Sequence, residues 1–458
     1  MRREALSALG ARALPAALLA PLLVSFSGCS WSRFDDVTDS SPIVLLEKPG
    51  AMKQGYGVSV ATVRRNADVE VLVGGGAGVS RAALYQLGTG ESPSTTTVDS
   101  GYCASAPCFL SSSLAGFANA PGPDRDYPQC FAVGAGTSVT KGLLFRCLDR
   151  SEFAVAIPKP AQDALDFALD NAQSDDFPLS SDRTDHPSLL ASSPSARVAW
   201  FYPSSSNKFS QLVAPKGAAI DDDSFGKTLA VLSMGDSAGA GRVYAVGVPN
   251  QNEVLLWKSE GGRDSTYIGC LGGTAGFGRA LASGKVNPDA NADLVVSDNV
   301  NVHVIDGRAL FELPESTSAD CGFGSLPSGA LLDSFGCGTN KNLSGCADAE
   351  FGAALAVGDL DGDGDGEVIV GAPGMTVRDN SGAGALLVYD AEGPNDVQFV
   401  DAKFISSAEQ GDQLGRALAT PSIDGRDIIL AGAPGNGKAA LFYCSALLPA
   451  GAGGSRCP

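Results

Sequence analysis

The sequence predicts an all-β protein, a seven-bladed β-propeller, and three observations lead to this prediction. Glycine accounts for 57 of the 458 residues, well above the usual share of about 7%, which indicates many tight turns. Runs of β-branched residues recur along the chain, and such residues favour strands over helices. One sequence pattern also repeats along nearly the whole chain, which is typical of repeat architectures.

The charge and composition exclude two broad classes of protein. The formal net charge is −19, and no basic stripe is present to hold nucleic-acid phosphates, which argues against a nucleic-acid partner. Hydrophobic residues make up 44% of the chain, which is enough for a large core and excludes a long disordered protein.

The first 28 residues are predicted to be a secretory signal. Arg2 and Arg3 precede an uncharged run from Ala13 to Gly28 that contains two prolines, and this run is shorter than the roughly 20 apolar residues that span a membrane. Residues 26–29, Phe-Ser-Gly-Cys, resemble a bacterial lipobox, with Phe26 where that family most often has Leu. The resemblance implies that Cys29 is lipidated and begins the mature chain, and secretion without a lipid and an uncleaved anchor remain the alternatives.

Residues 29–41 would then be the lipidated cysteine and a polar tether. Ser30, where an Asp would retain a lipoprotein in the inner membrane, favours the outer membrane by the same resemblance to Gram-negative lipoproteins. Residues 42–444 are predicted to form the propeller, and the Gly-rich residues 445–458 a C-terminal tail.

Cysteine usage agrees with export. Ten cysteines remain after Cys29, an even number, and the 103/108 and 444/457 spacings suit local disulfides, although the pairing cannot be read from the sequence. Zinc is disfavoured because the chain has no C-x-x-C pair and only two histidines.

Each repeat opens with an aromatic or apolar residue followed by glycine. A strand of small residues, a polar loop, a β-branched strand and a third strand follow, so each unit is predicted to be a short antiparallel sheet. The opening pairs, whose glycines are called the anchor glycines below, are Tyr56-Gly57, Phe225-Gly226, Phe277-Gly278, Phe351-Gly352 and Leu414-Gly415.

Two degenerate units fill the long interval between Gly57 and Gly226 and bring the total to seven, with six or eight blades as the alternatives. One opens at residues 115–117 and leads to a strand at 130–134, and the other opens with a first strand at 189–191 that leads to 197–201. A single sheet of this size cannot bury both faces, whereas sheets packed around an axis can. Pro42–Glu47 is expected to complete the last sheet.

The polar loop Asp359–Glu367, called the acidic loop, is the predicted metal site. It places carboxylates at positions 1, 3, 5 and 9, and Gly364 at position 6 permits a tight turn. Calcium takes six to eight oxygen ligands, and carboxylates that repel one another are stabilised by such a cation. The ligand candidates are Asp359, Asp361, Asp363, Asp365 (through its backbone carbonyl) and Glu367, and the alternative is a solvated acidic turn.

These repeats and this loop resemble the FG-GAP repeats of the integrin α-subunit head, over residues 43–444. The resemblance implies a seven-bladed propeller in which Glu367 at position 9 matches the family's loop and the calcium is structural. Integrin heads bind ligands on the opposite face together with a partner chain, and no segment here matches that partner's adhesion domain. A strand on each side of the loop excludes an EF-hand.

The equivalent loops of other units are more degenerate. In Lys285–Asp293 a lysine occupies the position of Asp359, which leaves calcium binding there open. The loops at Thr62–Glu70 and Ser422–Asp427 are predicted to be plain turns.

Two motifs suggest catalysis but lack the required context. Residues 235–239 fit the G-x-S-x-G elbow around Ser237, with Asp289, Asp293 or Asp298 and His303 downstream, yet a strand follows where a helix is needed. His303 is better explained as the polar face of a strand. Residues 432–438 resemble a P-loop but continue into Ala439 and another strand, so no nucleotide is expected.

Two insertions complete the sequence prediction. Residues 161–169 show helical spacing of apolar residues and are expected to form an inserted helix. The interval between Gly278 and Gly352 is long and contains Cys321, Cys337 and Cys346, which suggests either a recognition surface or a stapled loop.

The sequence therefore favours a non-enzymatic, calcium-binding propeller, lipid-anchored at the cell envelope, that binds a protein or glycan ligand. A structural scaffold in an envelope complex is the alternative, and a pull-down from the envelope separates the two, since a scaffold would co-purify with obligate subunits. A serine hydrolase using Ser237 is the third and least favoured hypothesis.

Overall fold

A computed structural model of the protein shows almost exclusively β-structure. It describes residues 43–443 apart from gaps at 47, 49–54, 66–67, 76–80, 88–93, 100–113, 122–125, 137–140, 148–151, 157–178, 182–187, 195–196, 203–208, 236–239, 261–263, 319–320, 322–328, 338–347, 392–396, 406 and 424–425. The predicted signal, Cys29, the tether, the C-terminal tail, the inserted helix at 161–169 and Ser237 lie outside the described residues.

The first strand, β1 (Ile43–Leu45), belongs to the last sheet, and the three sheets that follow it are built from consecutive strands. Sheet 1 contains β2 (Ser59–Arg65), β3 (Asp68–Gly74), β4 (Arg81–Leu87) and β5 (Ser94–Asp99). Sheet 2 contains β6 (Leu114–Pro121), β7 (Asp126–Gly136), β8 (Lys141–Cys147) and β9 (Glu152–Ala156). Sheet 3 contains β10 (Leu179–Ser181), β11 (Leu189–Ser193), β12 (Val198–Tyr202) and β13 (Ser210–Gln211).

Three more sheets of the same kind follow. Sheet 4 contains β14 (Thr228–Met234), β15 (Gly241–Val248), β16 (Glu253–Ser259) and β17 (Thr266–Gly272). Sheet 5 contains β18 (Ala280–Gly284), β19 (Asp293–Ser297), β20 (Asn301–Ile305) and β21 (Leu331–Gly336). Sheet 6 contains β22 (Ala354–Gly358), β23 (Glu367–Ala372), β24 (Ala385–Ala391) and β25 (Val397–Lys403).

The last sheet combines the two ends of the described chain. Sheet 7 contains β26 (Ala417–Ala419), β29 (Ile429–Ala433), β30 (Lys438–Phe442) and, paired with β30, the N-terminal β1. The expectation that residues 42–47 complete the last sheet is thus confirmed for the described strand. Between β26 and β29 lies a separate two-stranded hairpin, β27 (Ser422–Ile423) and β28 (Arg426–Asp427).

Helices are short in the described residues. The α-helix α1 (Gly307–Phe311) follows β20, and Asp306 caps it by accepting a hydrogen bond from the Ala309 N–H. A 3-10 helix spans Ala219–Asp221. No helix in the described part of the chain is both long enough and apolar enough to span a membrane.

Neighbouring sheets share their cores, which explains the continuous apolar runs of the central strands. In β19, Val295 packs with the core between sheets 5 and 6, while Leu294 and Val296 pack with the core between sheets 4 and 5. Because both faces are covered, all five residues of β19 are buried. The first strand of each sheet contacts the first strand of the next, and β26 of sheet 7 contacts β2 of sheet 1. This arrangement is consistent with a β-propeller.

The anchor glycines lie where one sheet approaches the preceding one. All five have positive φ angles, between 80° and 93°. A Cβ on Gly415 would lie 2.9 Å from the Cα of Gly371 in sheet 6, and one on Gly278 would lie 2.8 Å from the carbonyl oxygen of Glu253 in sheet 4. Gly57 makes the same kind of contact with Lys438 of sheet 7. The side chain before each anchor glycine is buried in the core that the two sheets share.

The structure corrects the strand assignment of one repeat. Residues 189–191 were expected to form a first strand, but they lie in β11, the second strand of sheet 3, and the first strand is β10. The β11 strand is fully buried and begins with three apolar residues, whereas the three-residue β10 has no aromatic–glycine pair before it. The other degenerate unit agrees with expectation, since residues 115–117 lie in β6 and 130–134 in β7.

Two turns predicted from sequence have more regular structure than expected. In the Thr62–Glu70 segment, residues 62–65 and 68–70 extend β2 and β3 as a paired hairpin. The Ser422–Asp427 segment forms the hairpin β27–β28.

Two complete disulfides are present among the described cysteines. Cys130–Cys147 joins adjacent strands of sheet 2, and Cys270–Cys321 joins β17 to the long insertion after α1. Cys337 is also disulfide-bonded. The cysteines at 103, 108, 346, 444 and 457 lie outside the described residues, and the pairs at 103/108 and 444/457 therefore remain predictions.

The anchor contacts predict that Gly415→Ala destabilises the protein more than Gly411→Ala. Both positions have positive φ, so backbone strain lowers the free energy of unfolding of both variants by about 1–2 kcal/mol. Only Gly415 faces backbone atoms, since a Cβ at Gly411 meets nothing within 4 Å. We expect the free energy of unfolding, measured in urea, to fall by about 1–3 kcal/mol more for Gly415→Ala. Equal losses would contradict the proposed role of the close approach.

Candidate metal centre

The acidic loop joins β22 to β23 and is folded around its own carboxylates. The N–H groups of Gly362 and Gly364 donate to the two carboxylate oxygens of Asp359, at 2.6 and 3.1 Å. The Asp363 N–H donates to Asp361 Oδ1, and the Asp365 N–H donates to Asp363 Oδ1, both at 3.0 Å. Gly362 and Gly364 have φ angles of 82° and 102°, which glycine adopts without strain.

Three of the predicted ligands converge on one centre. Asp359, Asp361 and Asp363 each present a carboxylate oxygen, and these oxygens lie within 4.8 Å of one another. This is the one such group of acidic, histidine or cysteine side chains in the described part of the chain. Asp361 is buried, Asp359 is half-buried and Asp363 is exposed.

The other two predicted ligands lie beside this group. Asp365 is half-buried and follows the group in the loop, and the nearby negative charges of the three aspartates act on it. Glu367 is 1% exposed, and its Oε2 accepts a hydrogen bond from the Leu360 N–H at 2.6 Å. The structure thus brings all five candidates into one loop, three of them into a common cluster.

The electrostatics of the loop favour a bound cation. Burial raises the pKa of Asp359 and Asp365, and the negative charges of neighbouring aspartates raise it further. Burial raises the pKa of Glu367 well above its usual range, and Asp361, Asp390 and Asp359 add to the effect. A positive ion among these groups would oppose each of these shifts.

The donor set fits calcium. All the side-chain donors are carboxylate oxygens, the ligands that calcium prefers, and calcium–oxygen distances of about 2.3 to 2.6 Å place two ligands of one ion at most about 5 Å apart. The 4.8 Å limit on the three clustered oxygens satisfies that condition. Asp359, Asp361 and Asp363 would hold the ion, and Glu367 would contribute negative charge from the strand.

Backbone contacts hold the acidic loop from both neighbouring sheets. The Gly366 N–H donates to the carbonyl oxygen of Lys285, at 2.5 Å, in the equivalent loop of sheet 5. The Asp427 N–H in β28 donates to the carbonyl oxygen of Asp359 at 2.7 Å. Sequence reasoning missed Asp427, because its short segment carries no motif and only the packing of successive sheets brings it to the loop.

The equivalent loop of sheet 5, Lys285–Asp293, is closed by its own hydrogen bonds. Asp293 is fully buried and accepts from the N–H groups of Val286, Asn287 and Gly307 at 3.0 to 3.2 Å. Asp289 accepts from both the backbone and the side chain of Asn291. The described residues contain no cluster of three acidic side chains here. The described residues therefore give no support for calcium binding at this loop, which the sequence leaves open.

Described β-strands flank both of the motifs that suggest catalysis. The strand β14 precedes Ser237 and β15 follows it, and β29 and β30 flank the turn at 434–437. His303, predicted to be on the polar face of a strand, lies in β20 with its Nε2 3.1 Å from Asp298 Oδ2. Asp298 also accepts from Thr274 and from the N–H groups of Val300 and Asn301, so it has a local structural role.

Comparison with protein families supports the repeat assignment. The FG-GAP repeat family model matches residues 351–389, which include β22, the acidic loop and β23. A comparison with curated protein sequences gives no match.

Solved structures give distant matches. AofleA from Arthrobotrys oligospora is 8% identical with a TM-score of 0.41, and the match covers 81% of this chain and 91% of that chain. A triple arginine-to-alanine mutant of AofleA is 9% identical with a TM-score of 0.39 and the same coverage. At TM-scores this low neither match carries an argument about fold or function.

The buried carboxyl of Asp293 predicts a pH dependence of stability. Burial raises its pKa from 3.8 to about 7, despite the three backbone hydrogen bonds and with the Asp289 charge adding to the rise. The folded state therefore binds this proton more tightly than the unfolded state, and the resulting stabilisation, complete below pH 3.8, is lost as the pH rises to about 7. In Asp293→Asn we expect a smaller loss of unfolding free energy between pH 4 and pH 7, measured in urea with chelator. The same loss in both proteins would refute the assignment to Asp293.

Proposed function

We propose that the protein is a calcium-binding, seven-bladed β-propeller that acts as a non-enzymatic binding module. Seven four-stranded sheets among the described residues support the blade count, each corresponding to one blade. The contact of β26 with β2, the packing of Gly57 on sheet 7 and the pairing of β1 with β30 support a closed ring. Pairing of the chain ends within one sheet would hold the ring closed.

The calcium assignment rests on one observation above all others. Three aspartate carboxylates converge within a loop between two strands, in the segment that matches the FG-GAP repeat model. Like charges this close destabilise the loop unless a cation balances them. Calcium at this position would stiffen the connection between the first and second strands of the sheet.

The proposed setting is the outside of a cell membrane, and the proposed partner is a protein or glycan. Disulfides form and persist in oxidising compartments, so Cys130–Cys147 and Cys270–Cys321 support export. The lipobox-like residues 26–29 support anchoring through Cys29, with the bacterial outer membrane as the proposed site. FG-GAP repeats suggest a propeller of the binding and adhesion type, which makes ligand binding the favoured role over scaffolding.

Calorimetric melting of the mature protein with calcium and with chelator tests the metal assignment. A bound ion stabilises the folded state by about 2.7 kcal/mol when its concentration is 100 times the Kd. We expect calcium to raise the melting temperature of wild type by several degrees and to leave Asp361→Ala/Asp363→Ala unchanged.

Asn287→Ala/Asp289→Ala is the matched control, since it removes polar side chains from the corresponding third and fifth positions of the sheet 5 loop. It should keep the full calcium response even though its melting temperature falls. If calcium does not raise the melting temperature of wild type, the metal is not part of the function. If the control loses this rise, the calcium site has to be assigned to the sheet 5 loop.

Fractionation of cells that express the full chain tests the anchor. Lipidation of Cys29 adds acyl chains that hold a protein at a membrane, and two chains or more give stable anchoring. Wild type should be recovered with the membranes, and Cys29→Ser should lose the lipid and leave the membrane fraction when cleaved. If Cys29→Ser is processed to the same length and stays with the membranes, the lipid anchor is not what holds the protein there.

A further inference from the structure

The acidic loop is in contact, at its beginning and near its middle, with the hairpin β27–β28 that lies between β26 and β29 of the following sheet. A Cβ on Gly358, just before the loop, would lie 2.8 Å from Asp427 Oδ2. A Cβ on Gly362, inside the loop, would lie 2.9 Å from the Nε of Arg426. The hairpin therefore packs directly against the loop, and glycines leave the room for it.

Asp427 holds the residue that carries the first candidate ligand. The N–H of Asp359 donates to Asp427 Oδ2 at 3.2 Å, and the N–H of Asp427 donates to the carbonyl oxygen of Asp359 at 2.7 Å. These two hydrogen bonds fix the backbone on both sides of the Asp359 Cα. Removal of a group that orients a metal ligand typically lowers metal affinity by about 10- to 100-fold.

A further contact joins the same two sheets just before the loop. Thr420 Oγ1, which follows β26, donates to the carbonyl oxygen of Val357 in β22 at 2.9 Å, and both residues are buried. Thr420 thus ties this side of sheet 7 to β22, and the hairpin ties it to the acidic loop. Sheet 7 also contains β1, the strand that joins the two ends of the described chain.

We propose that Asp427 is a positioning residue for calcium at the acidic loop, and that calcium binding tightens the docking of sheet 7 on sheet 6. This inference rests on the proposed calcium site. If docking of the hairpin improves calcium affinity, then calcium must strengthen docking by the same factor, because coupling between two binding events is reciprocal. Calcium binding would thus stabilise sheet 7, which pairs the two ends of the described chain, as well as the acidic loop itself.

The test compares wild type, Asp427→Ala and Asp427→Asn with the control Asp333→Ala. The control removes a carboxylate that also joins two sheets by accepting a backbone hydrogen bond, from the Val397 N–H at 2.7 Å, but between the outer strands β21 and β25. Calcium affinity is measured by titration calorimetry. Amide hydrogen exchange, with and without chelator, reports the protection of residues 417–433 and 438–442.

We expect the calcium Kd of Asp427→Ala to rise at least about tenfold, as for other residues that orient metal ligands. Asp427→Asn keeps a carbonyl acceptor, and its calcium Kd should lie between those of wild type and Asp427→Ala. If Asp427→Ala does not fold, Asp427→Asn serves as the test variant. Asp333→Ala should keep the wild-type Kd. Chelation should reduce amide protection of residues 417–433 in wild type and have a smaller effect in the Asp427 variants.

Two results distinguish failure of this inference from failure of the proposed function. If wild type binds calcium but the Asp427 variants bind it equally well, or if chelation leaves sheet 7 protection unchanged, the coupling is overturned and the calcium site stands. If wild type binds no calcium, both are overturned.

Discussion

Close approach of an anchor glycine to the preceding sheet is the contact on which packing depends at five of the seven described four-stranded sheets. Gly415 shows why, since a Cβ there would collide with the backbone of Gly371, and its positive φ would strain any other residue. The preceding side chain, Leu414, fills the core between sheets 6 and 7. One dipeptide therefore sets both the distance between two sheets and part of the core that holds them together.

This packing brings the loops at the other end of the first strands into contact with one another. Three successive loops meet there and satisfy their polar groups in different ways. The sheet 5 loop uses the buried Asp293 to accept backbone hydrogen bonds, the acidic loop gathers carboxylates, and sheet 7 forms a hairpin with Arg426 and Asp427. Among the described residues, only the middle loop brings three carboxylates within 4.8 Å of one another, and the proposed cation is assigned there for that reason.

Local residue patterns were enough to predict the elements that carry strong signals. The pair Phe351-Gly352 and the spacing of Asp359, Asp361 and Asp363 are short-range features, because a turn and its ligands depend on adjacent residues. Strand β10 could not be predicted, since three residues without an anchor pair contain too little pattern to distinguish them from a loop. The pairing of Cys270 with Cys321, 51 residues apart, depends on where a long insertion folds back, and no local spacing encodes that.

The sequence by itself determined that the chain is β-rich, that it repeats, where most repeats begin and which loop gathers carboxylates. These properties follow from side-chain volume, backbone freedom and charge over a few neighbouring residues. The tertiary structure alone decided which sheet each weak strand joins, and that Asp427 lies against Asp359. The physical reason is that Asp427 and Asp359 belong to different sheets, and their distance is set by the packing of whole sheets, to which every anchor contact and shared core contributes.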